Sequence, residues 1–214
     1  MKSRSKFEGI PLIGILRGCS DAHLPHVIEC VLNGGMTHLE ITMNSPGAEK
    51  QIRDAVRCSE TGLKIGAGTV TTVDLLERAL GSGATFIVTP FLTRGIIMDC
   101  VQRNIPVFPG AFSPTEVCEA WELGAAMVKI FPAEAGGAAF IRALKGPFPQ
   151  IQLLPTGGVD LDTLPQLLRA GAAGAGIGSP LFRKDRLEAN DWPWLENQVR
   201  AFVNIYREQL AGST

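Results

Sequence analysis

Residues 152–179 read QLLPTGGVDLDTLPQLLRAGAAGAGIGS and contain one complete strand–helix–strand unit. The apolar runs 152–154 and 173–177 have the length of short strands, and the apolar side chains between them recur at helical spacing. Two short apolar strands joined by a helix are typical of a parallel sheet. Each predicted strand is followed by a glycine-rich segment, TGG at 156–158 and GIGS at 176–179.

The same unit recurs along the whole chain. Strands are predicted at residues 12–16, 38–42, 64–68, 86–89, 107–108, 127–131, 152–154 and 173–177. Helices are predicted at residues 21–32, 48–56, 73–80, 94–101, 116–123, 138–144, 161–168 and 194–206. Several predicted helices follow a residue suited to cap them, among them Ser45, Thr72 and Ser113.

Two parallel α/β architectures compete for this repeat. A doubly wound nucleotide-binding sheet usually has a glycine fingerprint after its first strand, where this chain reads Arg17-Gly18-Cys19-Ser20. A closed barrel of eight units takes roughly 200–250 residues, which matches this chain. We therefore predict an α/β fold of the (β/α)8 TIM-barrel class. Residues 1–214 would form a single domain, with a short N-terminal helix at about 1–9 and a C-terminal helix at about 192–210.

The composition argues against several classes of protein. The formal net charge of −1 provides neither a basic surface for nucleic acid nor an acidic tail. The apolar run 11–16 is too short for a signal peptide or a membrane span, so we expect a cytoplasmic protein without a membrane partner. The cysteines form no C-x-x-C pair, and His38 near Glu40 is the single candidate pair of metal ligands. We expect no metal and no cofactor.

Charged residues stand out near the ends of the predicted strands, where barrels carry their active sites. Arg17, Glu40 and Lys129 lie on strands that are otherwise apolar. Burial can lower the pKa of a lysine by up to about 3–5 units, and a neutral amine can attack a ketone to form an imine. Glu40 could then move protons during the reaction. The same residues also allow a purely structural ion pair inside the barrel, and the spacing alone leaves both interpretations open.

The two glycine-rich strand ends predict a phosphate site. In barrels, the loops after strands seven and eight often bind phosphate through backbone N–H groups, and glycine allows the close approach. These loops contain Gly157 and Gly158 after strand seven, and Gly178 and Ser179 after strand eight. Glycines also serve ordinary turns, so their position in the repeat carries the prediction.

Together these residues resemble the 2-keto-3-deoxy-6-phosphogluconate (KDPG) and 4-hydroxy-2-oxoglutarate (KHG) aldolase family, from about Pro11 to Arg183. The matching segments are Ile15–Arg17, Leu39–Thr42, Gly66–Val70, Thr89–Pro90, Phe108–Gly110, Lys129–Ala133, Pro155–Gly158 and Gly176–Ser179. Each segment is weak alone, whereas their order and spacing are specific. The resemblance implies a class I aldolase, which is a metal-independent lyase. It also implies a role in carbohydrate metabolism of the Entner–Doudoroff type and a homotrimer, which is common in the family.

The resemblance also implies residue roles. Lys129 would form the Schiff base with the keto group, and Glu40 would be the general acid and base. The remaining positions would bind the pyruvate part (Arg17, Thr69, Pro90, Phe131 and Thr156) and the phosphate (Gly157, Gly158, Gly178 and Ser179). The substrate would be a 2-keto-3-deoxy sugar-acid phosphate that is cleaved to pyruvate and glyceraldehyde 3-phosphate, with 4-hydroxy-2-oxoglutarate as a second candidate.

The cues for the sugar epimer conflict. Some gluconate-type members carry arginine where this chain has Asn44, and the segments 43–46 and 173–183 look more like the phosphogalactonate (KDPGal) aldolases. Thr156, in contrast, looks like the gluconate type. We place the gluconate substrate first and keep the galactonate epimer as the alternative. More distant alternatives are a phosphosugar isomerase or epimerase, which would not need Lys129, and a non-catalytic barrel that binds a phosphorylated metabolite.

Overall fold

The framework is a ring of short parallel strands surrounded by helices, described by a computed structural model for residues 9–58 and 62–211. The strands are β1 (Leu12–Leu16), β2 (His38–Thr42), β3 (Lys64–Gly68), β4 (Ile87–Val88), β5 (Val107–Phe108), β6 (Gly110–Ala111), β7 (Val128–Ile130), β8 (Leu153–Pro155) and β9 (Ala175–Ile177). The helices are α1 (Leu24–Asn33), α2 (Ala48–Cys58), α3 (Val73–Gly81), α4 (Arg94–Gln102), α5 (Pro114–Glu122), α6 (Gly137–Lys145), α7 (Thr163–Arg169), α8 (Lys184–Glu188) and α9 (Trp192–Ala211). None of the helices in these two ranges is long and apolar enough to cross a membrane.

Backbone hydrogen bonds close the strands into a barrel. The strand order is β5-β4-β3-β2-β1-β9 in one sheet and β6-β7-β8 in the other, and all neighbours are parallel. Strands β5 and β6 are two halves of one strand interrupted at Pro109, whose carbonyl accepts from the Lys129 N–H at 2.9 Å. On the other side, Ala173 N–H donates to the Leu153 carbonyl at 2.9 Å. The predicted barrel class is therefore confirmed.

The predicted strands and helices are present in the structure, but several of them begin or end at other residues. Helix α1 begins at Leu24 rather than at residue 21, and β7 covers only three residues of the predicted run 127–131. A 3₁₀ turn at Ala133–Ala135 and the short helix α8 were not predicted. Helix α9 spans Trp192–Ala211. The helix predicted at about 1–9 lies outside the described residues, except for Gly9.

The interior of the barrel is packed with side chains rather than hollow, as is typical of this fold. A buried cluster inside the strands consists of Ile13, Phe86, Val88, Phe108, Ala126, Met127 and Leu154. The Phe86 ring meets Phe108 edge-on, with ring centroids 5.7 Å apart. A Cβ at Gly66 would overlap the Phe86 ring, so this strand position has to be glycine. The aromatic layer therefore forms the floor beneath the carboxyl ends of the strands.

His38 lies in this floor layer and makes stability depend on pH. It is only 5% exposed, its ring centroid is 5.6 Å from that of Phe86, and Thr37 Oγ1 lies 2.9 Å from its Nδ1. Burial, helped by Lys64, lowers the pKa of His38 from about 6.5 to about 4. Between these values the unfolded chain binds a proton that the folded chain does not, so folding stability falls as the pH falls.

Replacement of His38 by glutamine should therefore flatten the acid side of the stability profile. Between about pH 6 and pH 4.5, the wild type should lose up to about 1.4 kcal/mol per pH unit more than His38→Gln. Urea unfolding at half-unit pH steps measures this slope. His23→Gln, which lies just before α1 and outside the barrel, is the matched control. Parallel profiles for the wild type and His38→Gln would show that His38 does not titrate differently on unfolding.

Candidate active site

A cavity of about 500 Å³ opens at the carboxyl ends of the strands. Every site residue predicted from the sequence lines its wall: Arg17, Glu40, Thr69, Pro90, Lys129, Phe131, Thr156, Gly157, Gly158, Gly178 and Ser179. The cavity is also lined by residues that were not predicted as site residues: Ile15, Val159, Gly176, Pro180 and Phe182. The position agrees with the rule that barrel active sites lie at this end of the strands.

Lys129 extends from β7 into the cavity and is 6% exposed. Its Nζ lies 5.0 Å from the centroid of the Phe131 ring, at the distance of a cation–π contact. Desolvation lowers the pKa of Lys129; Glu40 opposes this shift, and the positive charge of Arg17 adds to it. The lowered pKa shifts the protonation equilibrium of Lys129 toward the neutral amine, which is the nucleophilic form.

Glu40 extends from β2 and is 1% exposed. Burial raises the pKa of this carboxyl group, while the charges of Lys129 and Arg17 pull it down. Within the described residues, neither Glu40 nor Lys129 takes part in an ion pair or a side-chain hydrogen bond. The two groups influence each other electrostatically without the close contact of a structural ion pair, so the structure does not realise that alternative.

The place of Glu40 depends on a gap in the neighbouring strand. Residue 40 is paired with Gly66 of β3 in the ladder, and its side chain lies over Gly68. A Cβ at Gly68 would overlap the Glu40 carboxyl group. The missing side chain of Gly66 thus makes room for Phe86, and the missing side chain of Gly68 makes room for Glu40.

Replacement of Gly68 by alanine should displace the Glu40 carboxylate. We expect kcat for the reaction of this site to fall by about 10²-fold, the lower range of what a positioned acid or base contributes. Gly81→Ala is the matched control, because a Cβ at Gly81 on α3 meets no atom. Steady-state kinetics and a melting curve for each variant provide the comparison. Unchanged kinetics in folded Gly68→Ala would contradict this account of the Glu40 position.

Arg17 lies on an exposed loop after β1 and lines the same cavity. Its Nη1 donates to Asn44 Oδ1 at 2.6 Å, and its Nη2 donates to Thr69 Oγ1 at 3.4 Å. Thr69 has a φ of +57°. A left-handed backbone costs a non-glycine residue roughly 1–2 kcal/mol, so the surrounding structure holds this conformation.

The glycine-rich loops supply backbone donors at another part of the wall. Gly157 and Gly158 have φ values of +93° and +69°, which glycine adopts easily. In the described part of the chain, no atom accepts a hydrogen bond from the N–H of Gly158, Gly178 or Ser179, whereas a parallel β-bridge between Thr156 and Gly176 engages the start of the first loop. Three N–H groups from two loops are therefore available to a bound anion, as expected for a phosphate site.

Two of the unpredicted lining residues could have been found from the sequence. Ile15 lies on β1 two positions before Arg17, the residue that follows the strand, and alternation puts both on one face. Gly176 gives room to Thr156, because a Cβ there would overlap the Thr156 hydroxyl. Phe182 follows the strand by several residues and has no such signal, since its position depends on the turn after β9.

The sequence of this chain is similar to the sequences of known aldolases. The family model "KDPG and KHG aldolase" matches residues 4–198. The 2-dehydro-3-deoxy-6-phosphogalactonate aldolase of Escherichia coli (strain K12) is 38% identical, with 94% of this chain and 97% of the relative covered. The 2-dehydro-3-deoxy-phosphogluconate aldolase of Haemophilus influenzae is 36% identical, with 88% of each chain covered.

The fold of this chain is also similar to the folds of solved aldolase structures. A native KDPGal structure has a TM-score of 0.88 at 35% identity and covers 96% of this chain and 99% of its own. The KDPG aldolase of Legionella pneumophila, with pyruvate captured as a covalent carbinolamine, has a TM-score of 0.84 at 28% identity and covers 91% of this chain and 94% of its own. The resemblance identified from the sequence is confirmed. The chain belongs to the KDPG and KHG aldolase family.

Proposed function

We propose that this chain is a class I aldolase that reversibly cleaves 2-dehydro-3-deoxy-6-phosphogluconate to pyruvate and D-glyceraldehyde 3-phosphate. The observation that carries the proposal is the buried Lys129 amine, whose pKa is lowered, in one cavity with the buried Glu40 carboxyl group. An amine and a proton carrier in one cavity are the groups that Schiff-base chemistry requires.

The reaction begins when the neutral Lys129 amine attacks the C2 keto carbon. Glu40 gives a proton to the carbinolamine hydroxyl, water leaves, and a protonated imine forms. The Glu40 carboxylate then takes the proton of the C4 hydroxyl, the C3–C4 bond breaks, and its electrons enter the iminium group. Glyceraldehyde 3-phosphate leaves, and the enamine is protonated at C3 to the pyruvate imine. Hydrolysis of this imine releases pyruvate and restores the amine.

Other residues that line the same cavity support this substrate class. Arg17 and Thr69 would hold the carboxylate of the keto acid, and a guanidinium group suits that task because it can donate two parallel hydrogen bonds. Pro90 and Phe131 would pack on the pyruvate part. The free N–H groups of the glycine-rich loops would bind the phosphate.

The configuration at C4 is the finer part of the proposal. Thr156 is 5% exposed, and its hydroxyl donates to the Leu154 carbonyl at 3.3 Å, a long hydrogen bond. The hydroxyl is therefore available to the C4 hydroxyl of the substrate. We place 2-dehydro-3-deoxy-6-phosphogluconate first and keep the galactonate epimer and 4-hydroxy-2-oxoglutarate as alternative substrates. The ratio of kcat/KM for the three compounds decides among them.

A homotrimer is also part of the proposal. Large apolar side chains are exposed on neighbouring units of the barrel: Val73, Phe91, Met98 and Phe112 are 41–59% exposed. Such side chains often mark an interface between subunits. The mass measured by light scattering should be three times 22.9 kDa. We also propose a cytoplasmic location and a role in carbohydrate metabolism of the Entner–Doudoroff type.

The first test of the function is trapping with borohydride. The protein is incubated with pyruvate, reduced, digested and analysed by mass spectrometry. We expect a reduced pyruvyl adduct on the peptide that contains Lys129. Lys64 at the exposed start of β3 is the internal control and should stay unmodified. If the folded protein gives no adduct, an isomerase, an epimerase or a non-catalytic metabolite-binding barrel becomes the better proposal.

A further inference from the structure

Three loops are tied together around Arg17. The Gly18 N–H donates to Ser45 Oγ at 2.9 Å, and this hydroxyl lies 2.8 Å from Thr42 Oγ1 at the end of β2. The sequence predicts Ser45 as a helix cap, yet α2 begins only at Ala48, and the buried Ser45 side chain binds the loop after β1 instead. The Arg17 backbone is thus anchored to the loop after β2.

The Arg17 side chain is held by two neutral acceptors. Asn44 Oδ1 accepts from Nη1 at 2.6 Å, and Thr69 Oγ1 accepts from Nη2 at 3.4 Å. The shorter of these contacts comes from Asn44, next to the anchored Ser45. Throughout residues 9–58 and 62–211, no carboxylate forms an ion pair with Arg17. The guanidinium group is therefore oriented without being neutralised.

We propose that Asn44 is a positioning residue that orients Arg17 for the carboxylate of the 2-keto acid. This inference rests on the proposed function. A guanidinium group has five N–H donors, of which the two acceptors occupy two. The Nε–H and the remaining Nη hydrogens stay available for a carboxylate. A neutral amide at position 44 suits this task, because a carboxylate there would compete with the substrate for the same cation.

The variants Asn44→Ala and Asn44→Asp separate orientation from charge. In Asn44→Ala the exposed Arg17 side chain regains rotamers, so KM for the cleaved substrate should rise about 5- to 10-fold while kcat changes less than about twofold. In Asn44→Asp the new carboxylate should pair with Arg17 and raise KM by more than about 10-fold, and added salt should weaken this effect. Residue 44 is exposed, so both variants should melt like the wild type.

A double-mutant cycle shows whether Asn44 acts through Arg17. In the Arg17→Ala background, Asn44→Ala should change KM by less than about twofold, because the group that it orients is gone. Hydroxyacetone, a ketone without a carboxylate, should be trapped by borohydride equally in the wild type and in Asn44→Ala. Additive effects on KM, an unchanged KM in Asn44→Ala, or an equal loss of trapping with hydroxyacetone and pyruvate would each overturn the inference.

The wild type separates this inference from the proposed function. An adduct of wild-type protein with pyruvate on Lys129 supports the function whatever the result at position 44. A wild type that cleaves the substrate while its Asn44 variants keep the wild-type KM overturns the positioning role alone. A wild type that forms no adduct overturns both proposals.

Discussion

Replacement of Lys129 by methionine is expected to abolish cleavage while the barrel stays folded. Methionine is unbranched and similar in length, so it can fill the space of the lysine stem. It lacks the amine, so no Schiff base forms, and kcat should fall by at least roughly 10⁴-fold, as for other enzymes that lose their nucleophile. Release of pyruvate, coupled to lactate dehydrogenase, measures the loss.

Stability provides the second readout for this variant. Lys129 is buried, and desolvation lowers its pKa, so the ammonium form is unfavourable in the folded protein. Removal of the amine should leave the melting temperature unchanged or raise it. Lys64→Met, at the other end of the barrel, should keep full activity. Activity of Lys129→Met within tenfold of the wild type would mean that another group is the nucleophile.

The shifts of Lys129 and Glu40 are mutually consistent. Desolvation favours the neutral form of each group, while the attraction between them favours the charged forms. A neutral amine and a protonated carboxyl have the same total charge as the ion pair, so one proton moved between them interconverts the two states. The neutral state contains both the proposed nucleophile for C2 and the proposed acid for the carbinolamine, so it is the state from which the first step of the proposed reaction would start.

The fold was predictable because short strand segments alternate along the chain with segments in which apolar residues recur at helical spacing. Strand β1 reads as a short apolar run and β2 as alternating polar and apolar residues, and the predicted ends of both agree with the structure. Pro109 was not predicted to divide the fifth strand, because a run of two residues has no periodicity to interrupt. Helix ends such as that of α1 depend on local capping, which competes with tertiary contacts.

The site was predictable where chemistry conflicts with burial. A lysine and a glutamate on apolar strands are costly, and this cost singles them out in the sequence. The supporting residues have no such signal. Gly68 looks like any turn or strand glycine until Glu40 is seen to occupy its side-chain space. Asn44 looks like a loop residue, and only the fold brings its amide to Arg17 across 27 residues of chain.

Replacement of Glu40 by glutamine is expected to slow the reaction by about 10²- to 10⁴-fold, the usual contribution of a general acid or base. The amide has the size and shape of the carboxyl group but cannot give up or take a proton at the pH of the assay. The adduct of pyruvate with Lys129 should still form, at a lower rate, because the amine remains. Time courses of borohydride trapping and of single-turnover cleavage measure the two steps separately.

The pH dependence distinguishes a proton carrier from a merely structural carboxyl group. The mechanism starts from a protonated Glu40, so the alkaline limb of kcat/KM in the wild type should report a carboxyl group whose pKa burial raises above its usual range. In Glu40→Gln this limb should disappear, while in Glu122→Gln, an exposed position on α5, it should persist. If Glu40→Gln keeps the wild-type limb at a reduced rate, the proton carrier is a different group, and Glu40 acts on the charge of Lys129 alone.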